Sequence, residues 1–446
     1  MSDVIENTVS SLSRLLNENL ISSISGAPQG SVKVRGASKG FENFIRALCS
    51  ARNTHEEDTV IQRELKVLQQ RFSQPDVSTS QVKDYMVRVI YCGMLGYDVN
   101  FACIHAVKLA QHGKLQEKRI GYLAASLLLH ENHELVLLLI NTIQKDLSSS
   151  NLLENCMGLL AVCQLVNTEM APMLLPSVLE KLKHPRPVVR KKAVMCLQKF
   201  QLKSPGSVQH LGDRFREALC DKDPGVMAAA LHIYLQLLLE NPSPHRGLTQ
   251  GFVNTLSQVI SRKLPSDLDY HSIPAPWVQI KLLKILAALG QGQERSSALM
   301  YGVLTETLER ATVRDNAAFA ILFECVVTIT TIWPNTDLLY KAASYVGKFL
   351  RSKGNNLRYA GLKALGYLVR AGPEFVMDYQ MIVVECLDDT DQAIQRKTYD
   401  LLYQMTNSSN VEVICKRLMD YLVKSRDDFA RSELVAKITE LLVKYP

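Results

Sequence analysis

One helical pattern returns along this chain at a nearly constant step. The segment "PRPVVRKKAVMCLQKF" places Val189, Ala193, Leu197 and Phe200 on or near one helix face. Sliding it forward puts Ala230 of "DPGVMAAALHIYLQLL" where Ala193 stood, and sliding it back reaches Gly158 and then Gly121, in steps of 35 to 37 residues. The same spacing relates Gly361 in "NLRYAGLKALGYLV" to Thr398 in "AIQRKTYDLLYQM". A period of that size holds two helices and their turns, with a small residue where the two cross most tightly. One such pair cannot bury its own apolar stripe, so each needs neighbours on both sides. The pattern predicts an all-α fold, a right-handed α-α superhelix of the HEAT or armadillo solenoid type. Phe41 to Tyr445 gives room for about eleven units in one elongated domain.

Composition agrees with helix-on-helix packing, because 47% of residues are hydrophobic and only 7% aromatic. Residues 1–40 stand apart: a short amphipathic helix is expected around Val4 to Leu16, then a glycine-rich polar stretch that reads as a flexible linker. The solenoid is expected over 41–446. The start "MSDVIENTVSSLSRLLNENL" lacks the pattern of a secretory signal, and Ser2 rules out N-myristoylation. The longest wholly aliphatic run, Leu135 to Ile140, is too short to span a bilayer, so any membrane association should be peripheral. The ten cysteines are scattered without a Cys-x-x-Cys pair and read as reduced core thiols.

A search for chemistry finds none that is organised. "HENHE", His130 to Glu134, is the best metal candidate, but it lacks the His-Glu-x-x-His spacing and falls in a polar turn. "GQGQERS" has glycines without the lysine and hydroxyl residue of a phosphate loop. The acidic pairs Asp388-Asp389 and Asp221, Asp223 sit where carboxylates cap helix starts. The chain therefore reads as non-catalytic, with no metal and no cofactor. The net charge of +7 favours an acidic surface but falls short of a nucleic-acid footprint. Lys181, Lys183, Arg186, Arg190, Lys191 and Lys192 form the densest basic cluster, either a patch for an anionic membrane or acidic partner, or a solvated face in which Arg190 pairs with an acid of the next repeat. In "HSIPAPWVQIKLLKIL", Pro276 opens a helix whose buried stripe is Val278, Leu282, Ile285, Leu286 and Leu289. Trp277, Lys281 and Lys284 share another face, as a structural corner pinning the preceding connection or as a patch for a partner.

Several stretches resemble the adaptins, the large subunits of heterotetrameric adaptor-protein complexes. They are "HEEDTVIQRELKVLQQRF", "YCGMLGYDVNFACIHAVKLAQ", "EKRIGYLAASLLLHENHELVLLLINTIQKDL", "PAPWVQIKLLKIL", "NAAFAILFECV" and "NNLRYAGLKALGYL", spread over Phe41 to Pro446. "RVIYCGMLGYD" and "DLDYHSIPAPW" look most like the epsilon type of the fourth complex. The resemblance implies a trunk that clasps a sigma-type small subunit and pairs with a beta-type large and a mu-type medium subunit. It also implies a cytoplasmic coat subunit, peripheral on trans-Golgi network membranes, that sorts cargo for vesicle-mediated intracellular protein transport and is recruited by a GTP-bound Arf-type GTPase.

Ile104 and Val107 match the aliphatic residues that touch Arf in a related subunit. Cys49, between Arg46 and Arg52, stands where relatives that bind dileucine signals carry an arginine, and only Lys83 remains where another relative has a phosphoinositide-binding lysine run. The end at "LLVKYP" reads as a trunk without hinge or appendage. The alternative to this reading is a karyopherin-like or general scaffold solenoid that binds peptides, for which a net +7 is the wrong charge.

Overall fold

Helix starts are written into the chain by short polar side chains. Ser38, Asn53, Ser78, Asn151, Asn335, Asp391 and Asp427 each accept a backbone N–H from the first turn that follows. Ser78 and Gln81 form a reciprocal capping box. Proline opens helices at Pro187 and Pro276, where its missing N–H costs nothing. The computed structural model describes residues 38–311, 315–425 and 427–445. The amphipathic helix expected around Val4 to Leu16, and most of the linker after it, lie outside those residues. Lys39 and Gly40, expected in the linker, already belong to the first helix, which Ser38 caps.

Close contacts divide the chain into two compact units, one ending at Ala230 and the other beginning at Leu231. The first contains α1 (Lys39–Cys49), α2 (Thr54–Phe72), α3 (Thr79–Met94), α4 (Cys103–His112), α5 (Leu115–Leu128), α6 (Glu134–Leu137), α7 (Ile140–Ser148), α8 (Leu152–Leu165), α9 (Met170–Lys181), α10 (Pro187–Lys203), α11 (Pro205–Val208) and α12 (Gly212–Leu219). The boundary falls inside α13 (Pro224–Glu240). The second unit continues with α14 (Thr249–Ile260), α15 (Pro276–Gly290), α16 (Glu294–Ala298), α17 (Tyr301–Arg310), α18 (Asn316–Thr331), α19 (Thr336–Leu350), α20 (Asn355–Ala371), α21 (Gln380–Glu385), α22 (Gln392–Met405), α23 (Val411–Lys424) and α24 (Asp428–Lys444). No β-strand occurs among the described residues beyond one isolated bridge, Tyr270 to Ile273.

Within each unit the helices pack as pairs, and the second helix of each pair stacks on the second helix of the next. In the first unit α4 pairs with α5, α7 with α8 and α9 with α10, while α3, α5, α8 and α10 follow one another side by side. In the second, α14 pairs with α15, α17 with α18, α19 with α20 and α23 with α24, while α15, α18, α20, α22 and α24 form the stacked series. This is an all-α solenoid arrangement. The six small residues that marked the period, Gly121, Gly158, Ala193, Ala230, Gly361 and Thr398, are all buried. Each glycine faces the first helix of its own pair: Gly121 the backbone of Leu109 and Ala110, Gly158 the side chain of Leu147, Gly361 Phe349 and Leu350.

Candidate binding surfaces

At five of the six marked repeats, all but the one where the apolar Met227 precedes Ala230, the position three residues before the small residue carries a second function. Its side chain ties the helix to the turn that precedes it or to an acid of a neighbouring repeat. Asn155 donates to the carbonyls of Ser149 and Asn151, at 2.6 and 2.9 Å. Arg190 donates to the carbonyls of His184 and Pro185 and forms a two-pronged pair with Asp221, both oxygens at 2.8 Å. Arg358 pairs with the buried Asp389, and Gln395 donates to the Asp389 carbonyl. Lys118 reaches Asp146, whose other oxygen accepts the Tyr122 hydroxyl at 2.7 Å. A charge as deeply buried as Asp146 persists only when paired in this way.

The acidic turns divide the labour. Asp223 and Asp391 cap the helices that follow, whereas Asp221 and Asp389 receive the arginine of the preceding repeat. The Arg190 guanidinium holds the Asp221 carboxyl below its usual range.

Arg190 is therefore not part of an open basic patch: of the two readings of the six-residue cluster, its pairing with an acid of the next repeat is the one found, and the patch reading loses this residue. The four hydrogen bonds of Arg190 all go into the repeat junction. Lys183, Arg186 and Lys191 are exposed, and Lys181 and Lys192 are half-buried. The candidate anionic-binding surface is the C-terminal end of α9, the turn after it and the outer side of α10.

The Pro-Ala-Pro-Trp corner is built by backbone strain. Tyr270 and Ile273 exchange two backbone hydrogen bonds around His271 and Ser272, both with positive φ, a tight hairpin turn normally given to Asn-Gly. Ala275, ahead of Pro276, is also left-handed, with φ of 35°; the proline ring disfavours the right-handed helical region for the residue before it. Gln279 and Arg262 hold this connection in place, through hydrogen bonds to the carbonyls of Pro274 and Ser272 at 2.7 and 2.6 Å. Trp277 touches Tyr270 with ring centroids 5.9 Å apart but remains 63% exposed.

On the same helix Lys284 lies 3.7 Å from Glu324 of α18. Burial raises the Glu324 carboxyl against the pull of Lys284 and Lys281. Burial, and then the charge of Lys284, lowers Lys281. Sequence reading did not find Glu324, since nothing local in "AILFECVV" distinguishes a charge that faces two lysines from one that faces water. The five residues of the predicted buried stripe of α15 are all buried.

Ile104 and Val107 are separated by the structure. Val107 is 1% exposed and packs in the core, whereas Ile104 is only partly covered. The expected two-residue contact is corrected to a surface that could offer Ile104 beside the exposed Lys108. Cys49 closes α1 and is exposed, as are Arg46 and Arg52. In "HENHE", Glu131 binds Lys203 at 2.5 Å and His133 caps α6, so two of its residues serve structural roles. No group of three or more metal-type ligands occurs among the described residues, and no helix among them is long and apolar enough to cross a membrane.

Comparison with known proteins gives this architecture a lineage. The adaptin N-terminal region matches residues 57–446. The chain is 48% identical over 445 residues to the AP-4 complex subunit epsilon-1 of Homo sapiens, covering 100% of this chain and 39% of that protein. It is 43% identical over 410 residues to the AP-4 complex subunit epsilon of Arabidopsis thaliana, covering 92% and 44%. The chain thus spans less than half the length of these relatives. A chain in a homology model of the full-length AP-3 complex in an intermediate open conformation shares the fold, with a TM-score of 0.57 at 21% identity over 82% of this chain and 64% of that one. On its repeat architecture and this match over most of its length, the chain belongs to the adaptin family, in that family's N-terminal region.

Proposed function

We propose that this chain is the trunk of an epsilon-type large subunit of a vesicle-coat adaptor complex and acts by binding alone. The observation that carries the reading is the 48% identity extending over 100% of the chain to a relative named as a subunit of such a complex. The trunk holds a sigma-type small subunit and pairs with beta-type and mu-type subunits, and the assembly sits peripherally on trans-Golgi network membranes to sort cargo for vesicle-mediated transport. Recruitment adds modest contacts: a GTP-bound Arf-type GTPase near Ile104, and an anionic leaflet against Lys183, Arg186 and Lys191. Linked weak contacts of this kind reach useful strength through effective concentration. Arg190 and Lys118, by contrast, serve the repeat junctions.

Co-expression with a tagged sigma-type subunit tests the proposal. A stoichiometric complex that survives gel filtration is the expected result. A chain that stays alone in the presence of sigma-type, beta-type and mu-type subunits, while folded by circular dichroism, overturns it.

A further inference from the structure

Two thiols from neighbouring repeats meet inside the first unit. Cys163, near the end of α8, and Cys196, in the middle of α10, place their sulfur atoms 3.4 Å apart. Cys196 is fully buried and also contacts the Leu159 carbonyl at 3.2 Å, whereas Cys163 is only partly covered. We propose that Cys163 and Cys196 are an oxidisable pair, a modification site at which a peroxide closes a disulfide between adjacent repeats.

The two sulfurs have unequal surroundings, which assigns their roles. The hydrogen bond from Cys196 lowers the Cys163 thiol, and Lys192 and Lys199 lower it further against the opposing effect of burial. Burial raises the Cys196 thiol. Cys163, only partly covered and with the lowered thiol, is thus the attacking sulfur, and the fully buried Cys196 is the resolving one.

In the first step the Cys163 thiolate attacks hydrogen peroxide; an S–O bond forms, the O–O bond breaks, and the departing hydroxide takes a proton and leaves as water. Cys163 is then a sulfenic acid. In the second step the Cys196 sulfur attacks that of Cys163, an S–S bond forms, the S–O bond breaks, and the oxygen leaves as a second water with the Cys196 proton. Two thiols and one peroxide give one disulfide and two waters. Closing from 3.4 Å to a bonded distance of about 2.05 Å requires the sulfurs to approach by about 1.4 Å. The product would tether α8 to α10 at the point where those helices already pack.

The test uses the full chain, treated with a small excess of hydrogen peroxide, blocked with N-ethylmaleimide under denaturing conditions and digested without reductant. The expected product is a linked peptide joining "AVMCLQK" to the peptide that carries Cys163, two hydrogens lighter than the separate thiols and split by dithiothreitol. Fragmentation distinguishes Cys163 from Cys156 on that peptide. Cys163→Ser should abolish the link, and Cys196→Ala should leave a sulfenic acid at Cys163 that dimedone traps. If Cys196→Ala fails to fold, the wild-type peptide map decides alone. The proposal is overturned if both cysteines carry maleimide at peroxide doses that oxidise the exposed Cys49 and Cys220, or if Cys163 advances to sulfinic acid with no linked peptide.

Discussion

Alanine substitution at the three repeat glycines should produce a graded series, because the three crossings differ in what a methyl group would meet. At Gly121 an added Cβ would lie 2.4 Å from the Ala110 nitrogen and 2.8 Å from its Cα, so the obstruction is α4 backbone that no rotamer change can relieve. Forcing the helices apart costs roughly 1–3 kcal/mol or more. Better helix propensity returns only about 1 kcal/mol. A clash with backbone belongs at the upper end of that range, about 3 kcal/mol, so Gly121→Ala should lose about 2 kcal/mol net, a fall of roughly 4–8 °C in Tm for a unit of this size. At Gly361 the nearest atoms are Phe349 Cβ at 2.9 Å and Leu350 atoms at 3.1 Å, which predicts a net loss of about 1 kcal/mol. At Gly158 the nearest are side-chain atoms of Leu147 at 3.3 and 3.5 Å, which can yield; propensity should win, leaving stability unchanged or up by about 1 kcal/mol. Thermal melts followed by circular dichroism give the order, and hydrogen exchange in α4 and α5 shows whether the Gly121 effect begins at its own crossing. Gly121→Ala melting at or above the wild type would refute the close approach. Gly158→Ala falling as far as Gly121→Ala would show that the methyl contact does not set the cost.

The junction pair predicts that Arg190→Met destabilises by about 1.5–3 kcal/mol, since Asp221 is left without its charged partner. Because the Asp221 pKa is depressed by Arg190, the stability it adds is complete above the unfolded carboxylate value near 4 and disappears as pH falls through the folded value. The gap between wild type and Asp221→Asn in urea melts should therefore close below about pH 4. Trp277→Ala should shift stability by less than about 1 kcal/mol, given its exposure, while Gln279→Ala should cost about 1–3 kcal/mol by unpinning the strained turn; equal melting losses would restore Trp277 as the pin. Replacing Lys183, Arg186 and Lys191 together by glutamine should weaken binding to phosphatidylserine vesicles on the order of 100-fold, and an unchanged affinity in co-sedimentation would exclude this surface.

What the chain discloses of itself depends on how each constraint acts. A tight crossing excludes large side chains at one point per repeat, so it leaves a mark that recurs, and all six marked residues proved buried. A face assignment within one helix leaves no such mark. Ile104 and Val107, three residues apart, differ by only about 60° around the axis, and that is the step from a half-covered edge to the core. At Arg190 a charge count alone left two readings open, because it is blind to partners 31 residues away, and the structure chooses the pairing with an acid of the next repeat. The repeat itself favours that choice: Arg358 stands before Asp389 at the same distance as Arg190 before Asp221, and each aspartate opens an Asp-x-Asp turn. The strained turn at His271 and Ser272 had no glycine to announce it, and the fold holds it through Gln279 and Arg262 on its two sides. Arg262 lies at the start of the connection into α15 and Gln279 in the first turns of that helix, both between Ala230 and Gly361, where no small-residue spacing marks the repeat, so no recurring signal points to either tether.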